Sequence, residues 1–298
     1  MRIVILGASG LIGHKLYQVL DARFGQKDSG SVVPVLHGTR DRFAPFGLFQ
    51  GARTVENVEV WDFNATCKVL EGLEPDVVLN CAGITKRRPE INDPLTAIKV
   101  NALWPHHLAQ WGKANGARMI HFSTDCVFDA SKGDYTEDDV TTARDAYGQT
   151  KALGETRYDH ALTLRSSFIG RELAVHSELL DWFLAQGGKT IGGFRDVLYT
   201  GVSTAELARI VGDIIEHHAD LSGLYQLSVP EPISKYDLLC LAREAFDLDV
   251  TIEPNDTARG RATLLSDRLR EAIGFTVPTW PEMMTALAAD PTPYPKLS

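Results

Sequence analysis

The chain has 298 residues, 44% of them hydrophobic and 23% charged, which is ordinary for a folded globular protein of about two domains. Asp and Glu outnumber Lys and Arg by 39 to 30, giving a net charge of −9. This balance disfavours a nucleic-acid partner, which needs a basic footprint, and no apolar run approaches the roughly 18 residues of a membrane span.

Predicted elements in the first half alternate between short apolar strands and helices with helical spacing of apolar residues. Strands are predicted at 3–6, 32–36, 58–61, 77–79, 118–122 and 161–165, and helices at 11–20, 97–115 and 146–160. Buried strands alternating with helices indicate βαβ units. The predicted fold is therefore α/β, with a doubly wound parallel sheet of the Rossmann type over residues 1–165.

The second half has a less regular pattern. Helices are predicted at 179–185, 204–217, 235–246 and 266–273, and strands at 223–227 and 250–253. We interpret residues 166–298 as a smaller, mixed α/β lobe that mainly binds substrate, with residues from about 198 to 228 returning to the first domain. Three prolines among the last eight residues predict a loose tail.

A glycine-rich turn follows the first predicted strand in the segment GASGLIG. Glycine permits a tight turn and a close approach of backbone to a pyrophosphate, and the helix that follows offers free N–H groups. The motif predicts a dinucleotide site. Its expected cofactor-binding residues are Gly7, Ser9, Gly10, Leu11, Ile12 and Gly13.

The segment after the second predicted strand bears on the choice of cofactor. Thr39 and Arg40 precede the first acid there, and a hydroxyl with a guanidinium suits a 2′-phosphate better than a bare ribose. This favours NADPH and leaves NADH open. Asp62, with Phe63 beside it, is expected near the adenine.

Tyr147 and Lys151 form a YxxxK pair, whose spacing of four places both side chains on one helical face. The ammonium is expected to lower the pKa of the phenol, which makes it a candidate acid or base. Ser123 and Thr124 end a predicted buried strand at its carboxyl end, where ligands bind in open α/β sheets.

Further strings accompany these motifs, namely NCAGIT from Asn80, VNA from Val100, FSTDCVFD from Phe122 and YGQTKALGE from Tyr147. With GASGLIG they resemble the extended short-chain dehydrogenase/reductases, and within them the dTDP-4-dehydrorhamnose reductase family and related nucleotide-sugar 4-ketoreductases. The resemblance covers nearly the whole chain and is strongest up to about residue 170.

The resemblance implies NAD(P)H-dependent reduction of a 4-keto group on a nucleotide-linked 6-deoxyhexose. Thr124 would be the triad hydroxyl, Tyr147 the proton donor and Lys151 its partner, and both Tyr147 and Lys151 would also contact the cofactor. Cys81, Ala82 and Gly83 would line the cofactor groove, and Asn101 would structure the site. The residues expected to face the sugar are Asp125, Val127 and Phe128.

The substrate would be a nucleoside-diphosphate sugar, whose diphosphate needs cations. Thr85 and Lys86 open an unusually basic run near the expected site, and Arg195, interpreted as lying on a flexible loop, is the preferred diphosphate ligand, with Arg171 a weaker one. Cys126 stands where relatives commonly have tyrosine. A UDP-linked N-acetylated 6-deoxy-4-hexulose is therefore an open alternative to the dTDP-linked sugar.

Two other functions remain as alternatives: a nucleotide-sugar epimerase or dehydratase with tightly held NAD, and a non-catalytic NADP-binding regulatory subunit. No metal site is expected, because the cysteines and histidines lack ligand spacing. Four scattered cysteines and the short apolar N-terminal run favour a cytoplasmic protein. A homodimer is an expectation from the family only.

Overall fold

The computed structural model describes residues 1–25, 32–51 and 53–297. Six strands form an all-parallel central sheet in the order β2-β1-β3-β4-β5-β9. Their bounds are β1 Ile3–Leu6, β2 Val32–Val35, β3 Val77–Asn80, β4 Arg118–Thr124, β5 Ala161–Ser166 and β9 Gly223–Gln226. β2 lies on one side of β1 and β3 lies on the other, so the direction in which successive strands are added to the sheet reverses at β1.

Helices cover both faces of this sheet. They are α1 Gly13–Leu20, α2 Phe63–Leu73, α3 Pro94–Ala97, α4 Trp104–Asn115, α5 Ala146–Leu153 and α7 Thr204–His217. Alternate residues of β1 join opposite core clusters, Ile3 and Ile5 on one face and Val4 and Leu6 on the other. Because both faces are buried, the strands are continuously apolar. The predicted doubly wound α/β fold is confirmed.

The remaining strands form smaller sheets. A mixed three-stranded sheet has the order β10-β7-β11, and β6 pairs with β8. The bounds are β6 Phe168–Ile169, β7 Thr190–Tyr199, β8 Val202–Ser203, β10 Ile233–Ser234 and β11 Thr251–Arg261. Helices α6 Leu179–Leu184, α8 Lys235–Ala245, α9 Asp267–Ile273 and α10 Trp280–Ala288 complete the mixed lobe that the sequence predicted.

Three local predictions are wrong. The segment 58–61 is not a strand and has a turn at residues 60–61, and its neighbour Val55 makes a single bridge to Val35 of the edge strand β2. The helix predicted over 146–160 ends earlier, because α5 stops at Leu153. The chain there passes close to the segment that precedes α4, and a Cβ on Gly154 would lie 2.0 Å from the Asn101 carbonyl oxygen. Segment 192–196 is strand, because it pairs with β11.

The C-terminal tail is packed, contrary to the expectation of a loose end. Lys15 Nζ lies 2.5 Å from Asp290 Oδ2, and His14 Nε2 lies 2.7 Å from the Tyr294 hydroxyl. These polar contacts on α1 give the proline-rich segment specific partners. Within the described ranges, no helix has the length and apolar composition needed to cross a membrane.

Candidate active site

A cavity of about 640 Å³ lies at the carboxyl edge of the central sheet. Its walls come from the turn after β1, the loops after β3, β4 and β5, and helix α5. Tyr199 of β7 and Lys235 of α8 close it from the smaller lobe. Parallel strands bring their carboxyl ends to one edge, and the reversal of strand order beside β1 opens a crevice there.

The glycine-rich turn forms one wall of this cavity. Gly7 has φ +72°, and a Cβ there would lie 2.9 Å from the Ala82 backbone nitrogen. A Cβ on Gly13 would lie 2.2 Å from the Gly7 carbonyl oxygen, so α1 can start this close to β1 only without a side chain. Gly10, Leu11 and Ile12 line the cavity, and this wall fits the pyrophosphate of a dinucleotide.

Helix α5 carries Tyr147 and Lys151 into the same cavity. Asp145 caps the helix by accepting a hydrogen bond from the Gly148 nitrogen at 2.9 Å. The helix lies so close to the end of β4 that a Cβ on Gly148 would be 2.2 Å from the Cys126 carbonyl oxygen. Lys151 Nζ donates to the Phe122 carbonyl oxygen at 2.6 Å, which fixes the ammonium beside the strand.

The hydroxyl that faces the cavity belongs to Thr124. Ser123 Oγ donates to Glu155 Oε1 at 2.7 Å and is therefore committed to the protein interior. Thr124 Oγ1 accepts from the Cys126 nitrogen at 3.2 Å and donates to Asp125 Oδ1 at 3.1 Å. The geometry agrees with Thr124, rather than Ser123, as the hydroxyl next to Tyr147.

Burial governs the protonation of Tyr147 and Lys151. It raises the pKa of Tyr147 well above its usual range, although a hydrogen bond with Thr124 acts in the opposite direction. The expectation that Lys151 lowers this pKa is wrong for this structure, because loss of hydration is the larger effect. Burial lowers the pKa of Lys151 to about 8. Tyr147 therefore carries its hydroxyl proton at neutral pH.

Two buried polar side chains, His121 and Asn80, form a connected series that begins at Lys151. His121 Nε2 lies 3.4 Å from Lys151 Nζ, and Asn80 Nδ2 lies 3.1 Å from His121 Nδ1. Asn80 Oδ1 is buried and has no hydrogen-bond partner among the residues that the structure describes. Turning the Asn80 amide by 180° lets Oδ1 accept from Nδ1–H and leaves Nε2 free to accept from Lys151. Burial also lowers the pKa of His121, so it is the neutral ring that meets the ammonium.

Asn101 fixes the loop after β3. Its Oδ1 accepts from the Ile84 nitrogen at 2.8 Å, and its Nδ2 donates to the Ile84 carbonyl oxygen at 2.9 Å. These two hydrogen bonds hold the segment in which Cys81, Ala82 and Gly83 line the cavity. Asn101 itself is buried behind this wall.

The residues expected near the adenine end do not line this cavity. Arg40 donates from Nε to Glu56 at 3.0 Å, and Thr39 beside it is exposed. Asp62 caps α2 by accepting from the Ala65 nitrogen at 3.0 Å, and Phe63 stacks on a core tryptophan of α4. Ser9 is likewise outside the cavity wall.

Only some of the expected substrate residues reach the cavity. Thr85, Lys86 and Asp125 do, although Lys86 Nζ is paired with Asp145 at 2.9 Å. Val127 is fully buried, and Phe128 stacks on Tyr135 with ring centroids 3.9 Å apart. Both side chains therefore belong to the core beneath the site.

The two predicted diphosphate arginines are placed elsewhere. Arg195 points from β7 towards Asp256, to which it donates from Nε at 2.7 Å on the exposed surface. Arg171 pairs with Asp181 at 2.5 Å and donates to the Pro295 carbonyl oxygen, so it holds the C-terminal tail. The structure does not bring either cation into the cavity.

Several cavity residues were missed by the sequence reasoning. Ser166 ends β5 and Ser167 follows it, and the rule that singled out Thr124 at the end of β4 would have found both. Glu178, Tyr199 and Lys235 also line the cavity, but no motif marks them. In the described part of the chain, no group of three or more His, Cys, Asp or Glu side chains is arranged for a metal ion.

Two named relatives match about half of the chain. Bovine (Bos taurus) methionine adenosyltransferase 2 subunit beta is 31% identical over 156 residues, 52% of this chain and 41% of that protein. Streptomyces griseus dTDP-4-dehydrorhamnose reductase is 34% identical over 155 residues, 52% of this chain and 43% of that protein. The matched segment thus spans less than half the length of either relative.

A solved structure extends the likeness to the whole fold. The dTDP-4-dehydrorhamnose reductase of Bacillus anthracis, solved in complex with NADP, has a TM-score of 0.78 at 19% identity and covers 96% of this chain and 98% of that one. The model of the RmlD substrate binding domain matches residues 1–291. The chain therefore belongs to the RmlD substrate binding domain family, within the extended short-chain dehydrogenase/reductases.

Proposed function

We propose that this protein is an NADPH-dependent reductase of a 4-keto-6-deoxy nucleotide sugar. The observation that carries the proposal is the meeting of Thr124, Tyr147 and Lys151 with the glycine-rich turn in one cavity. The relatives named as dTDP-4-dehydrorhamnose reductases support it. The sugar is dTDP-linked or a UDP-linked N-acetylated 6-deoxy-4-hexulose.

Each residue of the triad has a separate task. Tyr147 holds a proton on its hydroxyl oxygen and gives it to the carbonyl oxygen that becomes the product alcohol. Thr124 orients that oxygen by hydrogen bonding, and Lys151 holds the cofactor and supports the phenol. The glycine-rich turn binds the pyrophosphate, and the walls from β3 and β5 exclude water. A reduced nicotinamide supplies the hydride to the carbonyl carbon.

A direct assay tests this function. The purified protein is mixed with NADPH and either the dTDP-linked or the UDP-linked 4-keto sugar, and reduced nicotinamide and sugar product are both quantified. We expect one NADPH oxidised for each alcohol formed. Sugar conversion without NADPH consumption would instead indicate an epimerase or dehydratase.

A regulatory subunit is the second candidate, since one relative is named a subunit of methionine adenosyltransferase. That function predicts NADP(H) binding without turnover of either keto sugar. The meeting of Thr124, Tyr147 and Lys151 in one cavity, which a purely regulatory function does not need, favours catalysis. Binding measured by calorimetry together with the assay separates the two functions.

Arg40 is proposed to select NADPH, together with Thr39. Arg40 is held by Glu56 through Nε and Nη2 at 3.0 and 2.9 Å, and it is only partly exposed, so its guanidinium is fixed at the end of β2. We expect Arg40→Ala to raise the KM for NADPH about tenfold or more, the usual scale for losing a charged hydrogen bond. The KM for NADH should change less than about threefold. Steady-state kinetics with both cofactors measures this, and an equal rise for both would remove Arg40 from the choice of cofactor.

A further inference from the structure

Lys235 enters the cavity from the smaller lobe. It is the first residue of α8, and Ser234 caps that helix by accepting from the Asp237 nitrogen at 2.9 Å. Its Nζ lies 3.7 Å from the centroid of the Tyr199 ring, which is a cation–π contact, and both residues line the cavity. Helix and ring together fix the direction of a long side chain that would otherwise be mobile.

This ammonium differs from Lys86 and Arg87, the cations on the loop after β3 that also line the cavity, in having no carboxylate partner among the described residues. Lys86 is paired with Asp145 at 2.9 Å, and Arg87 lies 3.6 Å from Glu178. Among residues 1–25, 32–51 and 53–297, no carboxylate lies within 4 Å of Lys235 Nζ. Burial lowers the pKa of Lys235 to about 8, so the unpaired charge is held at a cost in hydration.

Asp125 is the acidic counterpart across the cavity. Asp125 and Lys235 line the same cavity, and the negative charge of Asp125 acts to raise the pKa of Lys235. Asp125 is buried, and one of its oxygens accepts from Thr124 at 3.1 Å. The space between them therefore offers a fixed donor and a fixed acceptor next to the Thr124 hydroxyl.

We propose that Lys235 and Asp125 together bind a neutral substituent of the sugar that both accepts and donates a hydrogen bond. A hydroxyl and an acetamido group share this chemistry: the oxygen accepts from Lys235, and the O–H or N–H donates to Asp125. A phosphate or a sugar carboxylate fits poorly, because Asp125 would repel it. The proposal rests on the proposed function and assigns Lys235 to sugar specificity, not to the diphosphate.

Binding titrations with Lys235→Met test this assignment without requiring turnover. Methionine keeps the length and removes the charge and the donors. Calorimetry in the presence of NADP compares free dTDP with dTDP-glucose, and free UDP with UDP-N-acetylglucosamine, so the two pairs distinguish a hydroxyl from an acetamido group. Lys189→Met, at an exposed position of the same lobe, is the matched control.

In the wild type we expect the sugar-linked ligand of at least one pair to bind more tightly than the free nucleotide. Lys235→Met should remove that advantage, weakening the sugar-linked ligand about tenfold or more and the free nucleotide less than about twofold. Equal weakening of the binding of both ligands would place Lys235 at the diphosphate and overturn the proposal. Unchanged affinity for both ligands would also overturn it. If Lys235→Met does not fold, Lys235→Gln provides the same comparison. A sugar-dependent advantage in a wild type that never oxidises NADPH would refute the proposed function alone.

Discussion

Tyr147→Phe is expected to reduce kcat for keto-sugar reduction by about 10² to 10⁴, the usual contribution of a positioned general acid. The substitution removes one oxygen from a side chain that lines the cavity and is otherwise buried among apolar groups. The phenol and Thr124 line the same cavity, and without the phenol hydroxyl the developing alkoxide would lose its proton source. NADPH oxidation under saturating substrate measures the effect.

The loss should appear in kcat, with the affinity for NADPH changed less than about twofold, because the ring that packs in the cavity wall is retained. Tyr158→Phe is the matched control, since its hydroxyl bonds His106 Nδ1 at 2.9 Å away from the cavity. A near-normal kcat in Tyr147→Phe would contradict the assignment of this tyrosine as the proton donor. A loss shared equally by Tyr158→Phe would point instead to a general effect of removing a hydroxyl.

Glu155→Ala is expected to destabilise the fold by about 3–5 kcal/mol, because it leaves a buried charge unpaired. Arg165 is fully buried and donates from Nε and Nη2 to Glu155 at 2.8 and 2.6 Å. Its guanidinium also lies over the Phe128 ring, 4.9 Å from the centroid, so it cannot swing out to water. Urea unfolding followed by circular dichroism measures the change in the free energy of unfolding.

Two comparisons sharpen that experiment. The double variant Glu155→Leu, Arg165→Met removes both charges and should be more stable than Glu155→Ala alone, since no ion is left in the core. Asp256→Ala breaks the exposed pair with Arg195 and should change stability little, because water replaces the lost partner. If Glu155→Ala lowered the free energy of unfolding as little as Asp256→Ala does, the buried ion pair would not stabilise the fold as we infer.

The same ion pair joins parts of the chain that are distant in sequence. Glu155 ends the string YGQTKALGE after α5, and it receives hydrogen bonds from Ser123 of the string FSTDCVFD and from Arg165 of β5. The pair therefore ties the tyrosine helix to the ends of two neighbouring strands. Arg165 is a structural cation, and the sequence alone did not separate it from cations that bind ligand.

Local chemistry is what the sequence by itself determined. The glycine-rich turn, the strand ending in Thr124 and the YxxxK spacing are each recognised from residues that are close together in sequence, and the parallel sheet brings their ends to one edge by a general rule. The predicted fold class, and the placement of Tyr147 and Lys151 in one cavity with Gly10, follow from those local patterns.

Charge pairing was decided only by the tertiary structure. Arg195 and Asp256 are 61 residues apart in sequence, and β7 meets β11 only in the folded sheet, so no spacing could show that this arginine is occupied. Lys235 has no motif, and it becomes a cavity residue because α8 starts beside Tyr199. In a chain with 39 acids, the fold alone determines which cations already have a carboxylate partner and which of them face the cavity.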